Sequence, residues 1–271
     1  MKFTVDAKEF RTGLEDIMGS GKYAQSGGVK SGVLSEYTYL DLKDNPSNTS
    51  FGLLSLWNGD GSYINKIVLD VTILDDSTHN ATVNIKTLLP FLKKMSGEIE
   101  IGIHDRVTIS SANTNITLPR VNQHPHHEVI QRLYLMDLNL DGEMPQFNGK
   151  AFEGSFDMAT ADFKEVINQC ELIGTGVYKL DFDFDVLVVD KKPNNISELN
   201  GNKGFAIWID KDMVVGVKEY NTTVSVENGK GYSATVAFTG PLHKFFKGDT
   251  ITFYVKDEFP LLLVGEDRLL V

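Results

Sequence analysis

The sequence predicts an α+β protein of two similar domains, each a set of antiparallel strands with two helices. Three observations predict it: an internal repeat at one constant offset, long stretches that alternate with a period of two, and short apolar runs at helical spacing with clear stop and start residues. A chain of 271 residues has room for two domains of ordinary size.

The repeat sets the domain organisation. Phe3, Glu9, Phe10, Arg11, Leu14 and Ile17 return as Phe156, Asp162, Phe163, Lys164, Ile167 and Cys170, each 153 residues later. The same offset recurs far away, where Ala81-Thr82-Val83 returns as Ala234-Thr235-Val236, and Ile85, Leu89, Leu92 and Lys94 return as Phe238, Leu242, Phe245 and Lys247. Two separated segments that hold one spacing define two copies of one unit, residues 1–138 and 152–271, joined by a connector over 139–151 rich in Gly, Asp, Asn and Pro.

Each copy opens with a short strand and a helix. Over Asp6 to Met18 the apolar residues Ala7, Phe10, Leu14 and Ile17 fall at helical spacing, and over Thr160 to Ile173 Phe163, Val166, Ile167 and Cys170 do so behind Thr160 as N-cap. The second helix of each copy follows the repeated Ala-Thr-Val strand. It is predicted over Thr87 to Met95 in the first copy and Pro241 to Lys247 in the second, with Pro at the first helical position and Gly248 past the end. Glu98 to Ile103, Lys179 to Phe184 and Thr250 to Val255 alternate with period two, as strands with one wet face do. The turn clusters Asn58-Gly59-Asp60-Gly61 and Glu227 to Gly231 between such stretches predict antiparallel meanders.

Composition narrows the class. With 41% hydrophobic and 23% charged residues the chain is an ordinary globular sequence. The single cysteine, Cys170, excludes an intrachain disulfide and any multi-cysteine metal site within one chain, so no cofactor or metal is expected. No stretch approaches the ~20 apolar residues of a membrane helix, and Met1 to Asp6 lacks a signal-peptide layout, so the expected setting is intracellular and away from membranes.

A net charge of −11 argues against coating nucleic acid with the whole surface, but the cations are not spread evenly. Lys86, Lys93 and Lys94, then His243, Lys244 and Lys247, surround the second helix of each copy, with no acid from Asn84 to Ser96 or from Ala234 to Lys247. The first helices are mixed: Lys8 and Arg11 share theirs with Glu9, Glu15 and Asp16, and Lys164 sits among Asp162, Glu165 and Glu171. Such lysines either solvate a helix end or face a phosphate backbone, where they position the protein without reading sequence.

Three segments in order resemble DNA sliding clamps of the proliferating cell nuclear antigen type. They are Asn84 to Lys94 (Asn-Ile-Lys-Thr-Leu-Leu-Pro-Phe-Leu-Lys-Lys), Leu133 to Leu140 leading to Met144-Pro145, and Leu242 to Lys247 followed by Asp257-Glu258-Phe259-Pro260-Leu261-Leu262-Leu263. The resemblance covers most of the chain. It implies a homotrimeric ring of six similar domains that encircles duplex DNA without sequence preference, a processivity factor with no catalytic activity. The three-domain bacterial clamp would need a third copy of the unit, for which this chain has no room. The implied partners are a DNA polymerase, a clamp loader and other proteins bearing clamp-binding peptides, in the cytoplasm of a prokaryote, a eukaryotic nucleus or a virus-infected host cell.

On the same resemblance, Lys8, Arg11, Lys86, Lys93, Lys94, Lys164, Lys244 and Lys247 face DNA. Leu138, Leu140, Met144, Pro145, Pro260, Leu269 and Leu270 border a partner-peptide pocket beside the connector. Subunits join through edge strands corresponding to 129–137 and 204–210, with Val129, Gln131, Leu133, Phe205, Ile207 and Ile209. Two positions depart from the family: Asn48 to Asn58 occupies the region of a first-domain loop with a Ser-His-Val-like stretch, and Asn168 stands where the family often has a basic residue. Two other readings stay open: a subunit of a heteromeric or checkpoint-like clamp, and a clamp-fold interaction module that does not encircle DNA.

Enzyme readings are weaker. Gly19-Ser20-Gly21-Lys22 resembles half a phosphate loop but has Asp16 and Tyr23 where that loop requires Gly and Ser or Thr. His124-Pro125-His126-His127-Glu128 lacks the spacing and the distant ligand of a metal site, which leaves a metal hydrolase as the enzyme alternative. Asp181, Asp183 and Asp185 share one strand face, as wet-face charges do.

Overall fold

The computed structural model describes residues 1–23, 36–45, 48–59, 63–75, 80–112, 114–120, 138–140, 144–173, 177–184, 197–209, 213–226, 232–239 and 242–271. The chain divides into two compact units, one of Met1–Lys22 and Lys30–Leu135, the other of Tyr23–Val29 and Met136–Val271.

The first unit runs β1 (Lys2–Asp6), α1 (Ala7–Tyr23), β2 (Tyr37–Asn45), β3 (Asn48–Gly59), β4 (Ile64–Asp75), β5 (Asn80–Asn84), α2 (Ile85–Leu92), β6 (Glu98–Ile103), β7 (Arg106–Ser111) and β8 (Thr114–Pro119). Its strands pair antiparallel in the order β5-β2-β3-β4-β1-β6-β7-β8. Asp6 caps α1, its Oδ1 accepting from the backbone N–H of Lys8 at 2.9 Å and of Glu9 at 3.0 Å. Ala7, Phe10, Leu14 and Ile17 are all buried, so the predicted helical stripe is the core face of α1. Gly13 on that helix allows close approach to the sheet, since a Cβ there would meet Leu56 Cδ1 at 2.9 Å.

The Gly19 to Lys22 run lies inside α1 rather than in a loop. Asn48 to Asn58 is likewise strand β3 and not a loop, because Leu54 and Leu56 bury themselves while β3 pairs with both β2 and β4. α2 begins two residues before its predicted start, since Asn84 Oδ1 accepts from Thr87 N–H at 2.9 Å and so caps from there. It ends at Leu92, shortly after Pro90 has removed one backbone donor.

The connector forms a small sheet of β9 (Leu138–Asn139), β10 (Gln146–Phe147) and β11 (Lys150–Ala151), in the order β11-β10-β9. It belongs to the second unit, where Leu138 and Phe147 pack on a buried cluster of Phe152, Leu262 and Leu269.

The second unit continues with β12 (Gly154–Ala159), α3 (Thr160–Ile173), β13 (Val177–Phe184), β14 (Ser197–Ile209), β15 (Met213–Val226) and β16 (Tyr232–Thr239). A 3₁₀ turn (Leu242–Lys244) follows, then β17 (Thr250–Val255), β18 (Leu262–Val264) and β19 (Arg268–Leu270). Its strand order, β16-β13-β14-β15-β12-β17-β18-β19, repeats that of the first unit position by position. One tie recurs with it: Ala7 N–H donates to Gly97 O at 2.9 Å, and Thr160 N–H donates to Asp249 O at 2.8 Å. Each ties the start of a helix to the residue just before a strand distant in sequence, β6 or β17.

Three expectations change in this unit. Thr160 does not cap α3; it is the first helical residue, and its buried hydroxyl has no hydrogen-bond partner among the described residues. Of the helix predicted over Pro241 to Lys247, the described residues 242–247 hold a single 3₁₀ turn, Leu242–Lys244. Leu242, His243, Phe245 and Phe246 are all buried, a set wider than one helical stripe, so packing in a short loop prevails over local periodicity. The strand at 204–210 is no edge. Phe205, Ile207 and Ile209 lie in β14, where Phe182, Leu180 and Tyr178 of β13 stand opposite on one side and Lys218, Gly216 and Met213 of β15 on the other. Val129, Gln131 and Leu133 lie outside the described residues, as does His124 to Glu128.

Candidate nucleic-acid interface

The candidate cations of each unit lie on or just after its helical segments. In the first unit Lys8 is exposed on the first turn of α1, and Arg11 is half-buried with a buried Nε that lacks a hydrogen-bond partner among the described residues. Lys93 and Lys94 follow α2 and are exposed; Lys93 Nζ lies 3.5 Å from Glu15 Oε1 of α1. Lys86 pairs with Glu36. Surface pairs of this kind contribute about 0–1 kcal/mol to stability, yet each cancels a cation in the local field.

In the second unit Lys164 of α3, Lys244 of the 3₁₀ turn and Lys247 are exposed. Neither Lys164 nor Lys244 has an ion-pair partner among the described residues. They open onto a cleft of about 470 Å³ lined also by Thr160, Ala161, His243, Phe246, Gly248 and Asp249. His243 is 2% exposed and its ring packs edge-on to Phe163 at 6.4 Å, with both nitrogens lacking a hydrogen bond among the described residues. Burial, then Lys244 and Lys164, push its pKa down to about 4, so the imidazole is neutral at pH 7.

The repeat offset relates Arg11 to Lys164 and Lys94 to Lys247. Arg11 and Lys164 lie on α1 and α3, and Lys94 and Lys247 follow α2 and the 3₁₀ turn, so the two units carry cations at matching places in one fold. Sequence reasoning missed Thr160 as an unpaired hydroxyl and His243 as a buried neutral ring. Its signal for His243 was only a charge symbol beside lysines.

The residues assigned to a peptide pocket sit in the second unit. Leu140 is 41% exposed and Pro260 is exposed, whereas Met144 and Leu138 are half-buried. Pro145 is buried, and its carbonyl accepts from Phe152 N–H at 3.0 Å. Leu269 and Leu270 are buried on β19, so they supply core rather than open surface. Phe147 and Phe259 were missed; they meet edge-on at 6.0 Å beside Phe152, and both are only partly buried. Strand β15 leaves part of one edge without a strand partner among the described residues. It pairs with β12 only over Thr222–Val224, so Met213 to Asn221 have β14 alone as partner among the described residues.

No family model matches the chain, and no curated protein does. Among solved structures the chain is similar to the Helicobacter pylori beta clamp in complex with 5-chloroisatin, with a TM-score of 0.60 at 13% identity over 100% of this chain and 62% of that one. It is similar also to the sliding clamp (DNA polymerase III subunit beta) of Pseudomonas aeruginosa bound to griselimycin, with a TM-score of 0.61 at 12% identity over 100% and 64%. A further Helicobacter pylori beta clamp, bound to a DNA ligase peptide, gives 0.56 at 14% identity over 100% and 64%. The chain therefore has the sliding-clamp fold, and it spans 62–64% of the length of these bacterial chains. Among the described residues no helix is long and apolar enough to cross a membrane, and no group of three or more His, Cys, Asp or Glu side chains could hold a metal ion.

Proposed function

We propose that the chain is the subunit of a sliding clamp, a ring that encircles duplex DNA and tethers a polymerase and other partners to it. The observation that carries this reading is the recurrence of cations, Arg11 with Lys164 on the first helices and Lys94 with Lys247 just after the second helical segments, at matching places of two like-folded units in a chain of net charge −11. Helices lining a hole concentrate positive potential where the backbone passes, while acidic surface elsewhere repels stray nucleic acid. Topology then retains the ring, so each contact can be weak and salt-sensitive.

The likeness to bacterial clamps supports the role, including its non-catalytic character and its intracellular, DNA-associated setting. The resemblance of Asn84 to Lys94, Leu133 to Leu140 and Leu242 to Lys247 to the proliferating cell nuclear antigen type supports a ring closed by three copies. The part of the β15 edge without a strand partner among the described residues is the surface we assign to ring closure, since head-to-tail pairing there would satisfy its backbone groups. Leu140, Met144 and Pro260, rimmed by Phe147 and Phe259, are the surface we assign to partner peptides, for which apolar groups beside a connector are suited.

The experiment is loading onto DNA. A clamp is retained on closed circular duplex and lost when the circle is linearised; equal retention on both defeats the reading. Solution mass is the companion measurement, with three times 30.1 kDa expected and a lasting monomer counting against the ring.

A further inference from the structure

The cleft beside α3 combines features that a merely solvated helix end does not need. Thr160 Oγ1 and both ring nitrogens of His243 are buried there without hydrogen bonds, and Lys164 and Lys244 stand at its mouth without ion pairs among the described residues. Buried polar groups left unpaired are costly, and a ligand that reaches them recovers that cost. The cleft also lies at the N-terminal pole of the 14-residue helix α3, where anions are favoured. Asp249 is the one acid in the lining, and its backbone carbonyl is already engaged by Thr160 N–H. The first unit does not repeat the arrangement. At the positions of Thr160, His243 and Lys244 it has Ala7, Pro90 and Phe91, none with a polar side chain.

We propose that this cleft seats one phosphate group, with Thr160 Oγ1 and a His243 ring nitrogen as hydrogen-bond partners and Lys164 and Lys244 as charge partners. Lys247 and the pole of α3 add to the local field. The assignment rests on the clamp reading only for the source of the phosphate, which is either an internal phosphodiester of encircled DNA or a terminal or free phosphate. A neutral imidazole offers one N–H donor to such a group. The charge of the bound phosphate would offset Lys164 and Lys244, two of the groups that hold the ring neutral.

The test is a histidine-ring NMR titration of the full-length chain with inorganic phosphate, the His243 signal being assigned by its loss in His243→Gln. The expected result is a saturable shift at His243 and a rise of its pKa from about 4 toward the ordinary histidine range. Lys164→Ala and Thr160→Val should each weaken binding about tenfold. These two decide the matter even if His243→Gln fails to fold. An unmoved His243 signal, or parental binding by both variants, overturns the site. Short oligonucleotides with and without a 5′-phosphate separate the sources: equal effects identify the backbone, and an effect of the phosphorylated one alone identifies a terminal group. Loss of retention on circular DNA with intact phosphate binding would defeat the clamp reading and leave the cleft; the reverse outcome would remove the cleft and leave the clamp.

Discussion

At the helical end of the first unit Lys93 faces Glu15 at 3.5 Å and Lys86 faces Glu36, whereas Lys164 and Lys244 of the second unit have no such partner among the described residues. The difference extends inward. Pro90 and Phe91 stand at the repeat positions of His243 and Lys244, so the first unit has no titratable ring at the position of His243. Two copies of one fold thus share strand order and cation positions but differ in how much charge remains available. A framework can be duplicated faithfully while its electrostatics diverge, because surface and cleft residues contribute little to the sheet register that defines the fold.

The comparison can be broken at its core. Phe10 and Phe163 are repeat partners, each buried at 1% exposure or less. If the units are equivalent frameworks, Phe10→Ala and Phe163→Ala each cost about 3–5 kcal/mol, read by urea denaturation. A loss in only one of them would show that the copies carry unequal loads.

The second prediction sharpens the charge difference. Lys164→Ala with Lys244→Ala should reduce retention on circular duplex more than Lys86→Ala with Lys93→Ala, since the latter pair is already neutralised. The salt dependence of binding should fall by about one unit of slope per phosphate contact removed. Equal losses from the two pairs would erase the distinction drawn between the units.

A third concerns pH. The His243 pKa is lowered to about 4 in the folded chain, against about 6.5 when unfolded, so the unfolded chain takes up the proton first as pH falls. Its contribution to stability is therefore complete above about pH 6.5 and is lost on descending toward about pH 4. Urea midpoints measured across that window should show the loss in the parent and less of it in His243→Gln. The smallest expected effect is that of Glu15→Gln. It should change stability by no more than about 1 kcal/mol, while releasing Lys93 and modestly strengthening DNA retention at low salt.

Much of the fold was legible in the residues. Phe3 with Phe156 and Phe10 with Phe163 marked the repeat, and strands β6 and β17 fall on their alternating stretches, because period and burial coincide on a half-wet sheet. The connector was legible as a break in pattern but not as the small sheet that packs on Phe152, since its strands are only two residues long. Whether a strand is central or edge was not legible. Phe205, Ile207 and Ile209 look like an edge locally, and only the positions of β13 and β15 on either side show otherwise.

The candidate site divides in the same way. Lysines near short helices can be read from a string, but their pairing to Glu15 or Glu36 depends on elements far apart in sequence meeting in space. By itself the sequence determined the duplicated unit, its antiparallel character and the placement of cations beside helices, because those follow from short-range periodicity and a constant offset. Only the tertiary structure decided that Leu242–Lys244 forms a single 3₁₀ turn holding a buried histidine, that β15 keeps part of an edge without a strand partner, and which lysines lack ion pairs among the described residues. Those outcomes depend on competition among distant partners for the same space and charge, and no local pattern of residues encodes the result of that competition.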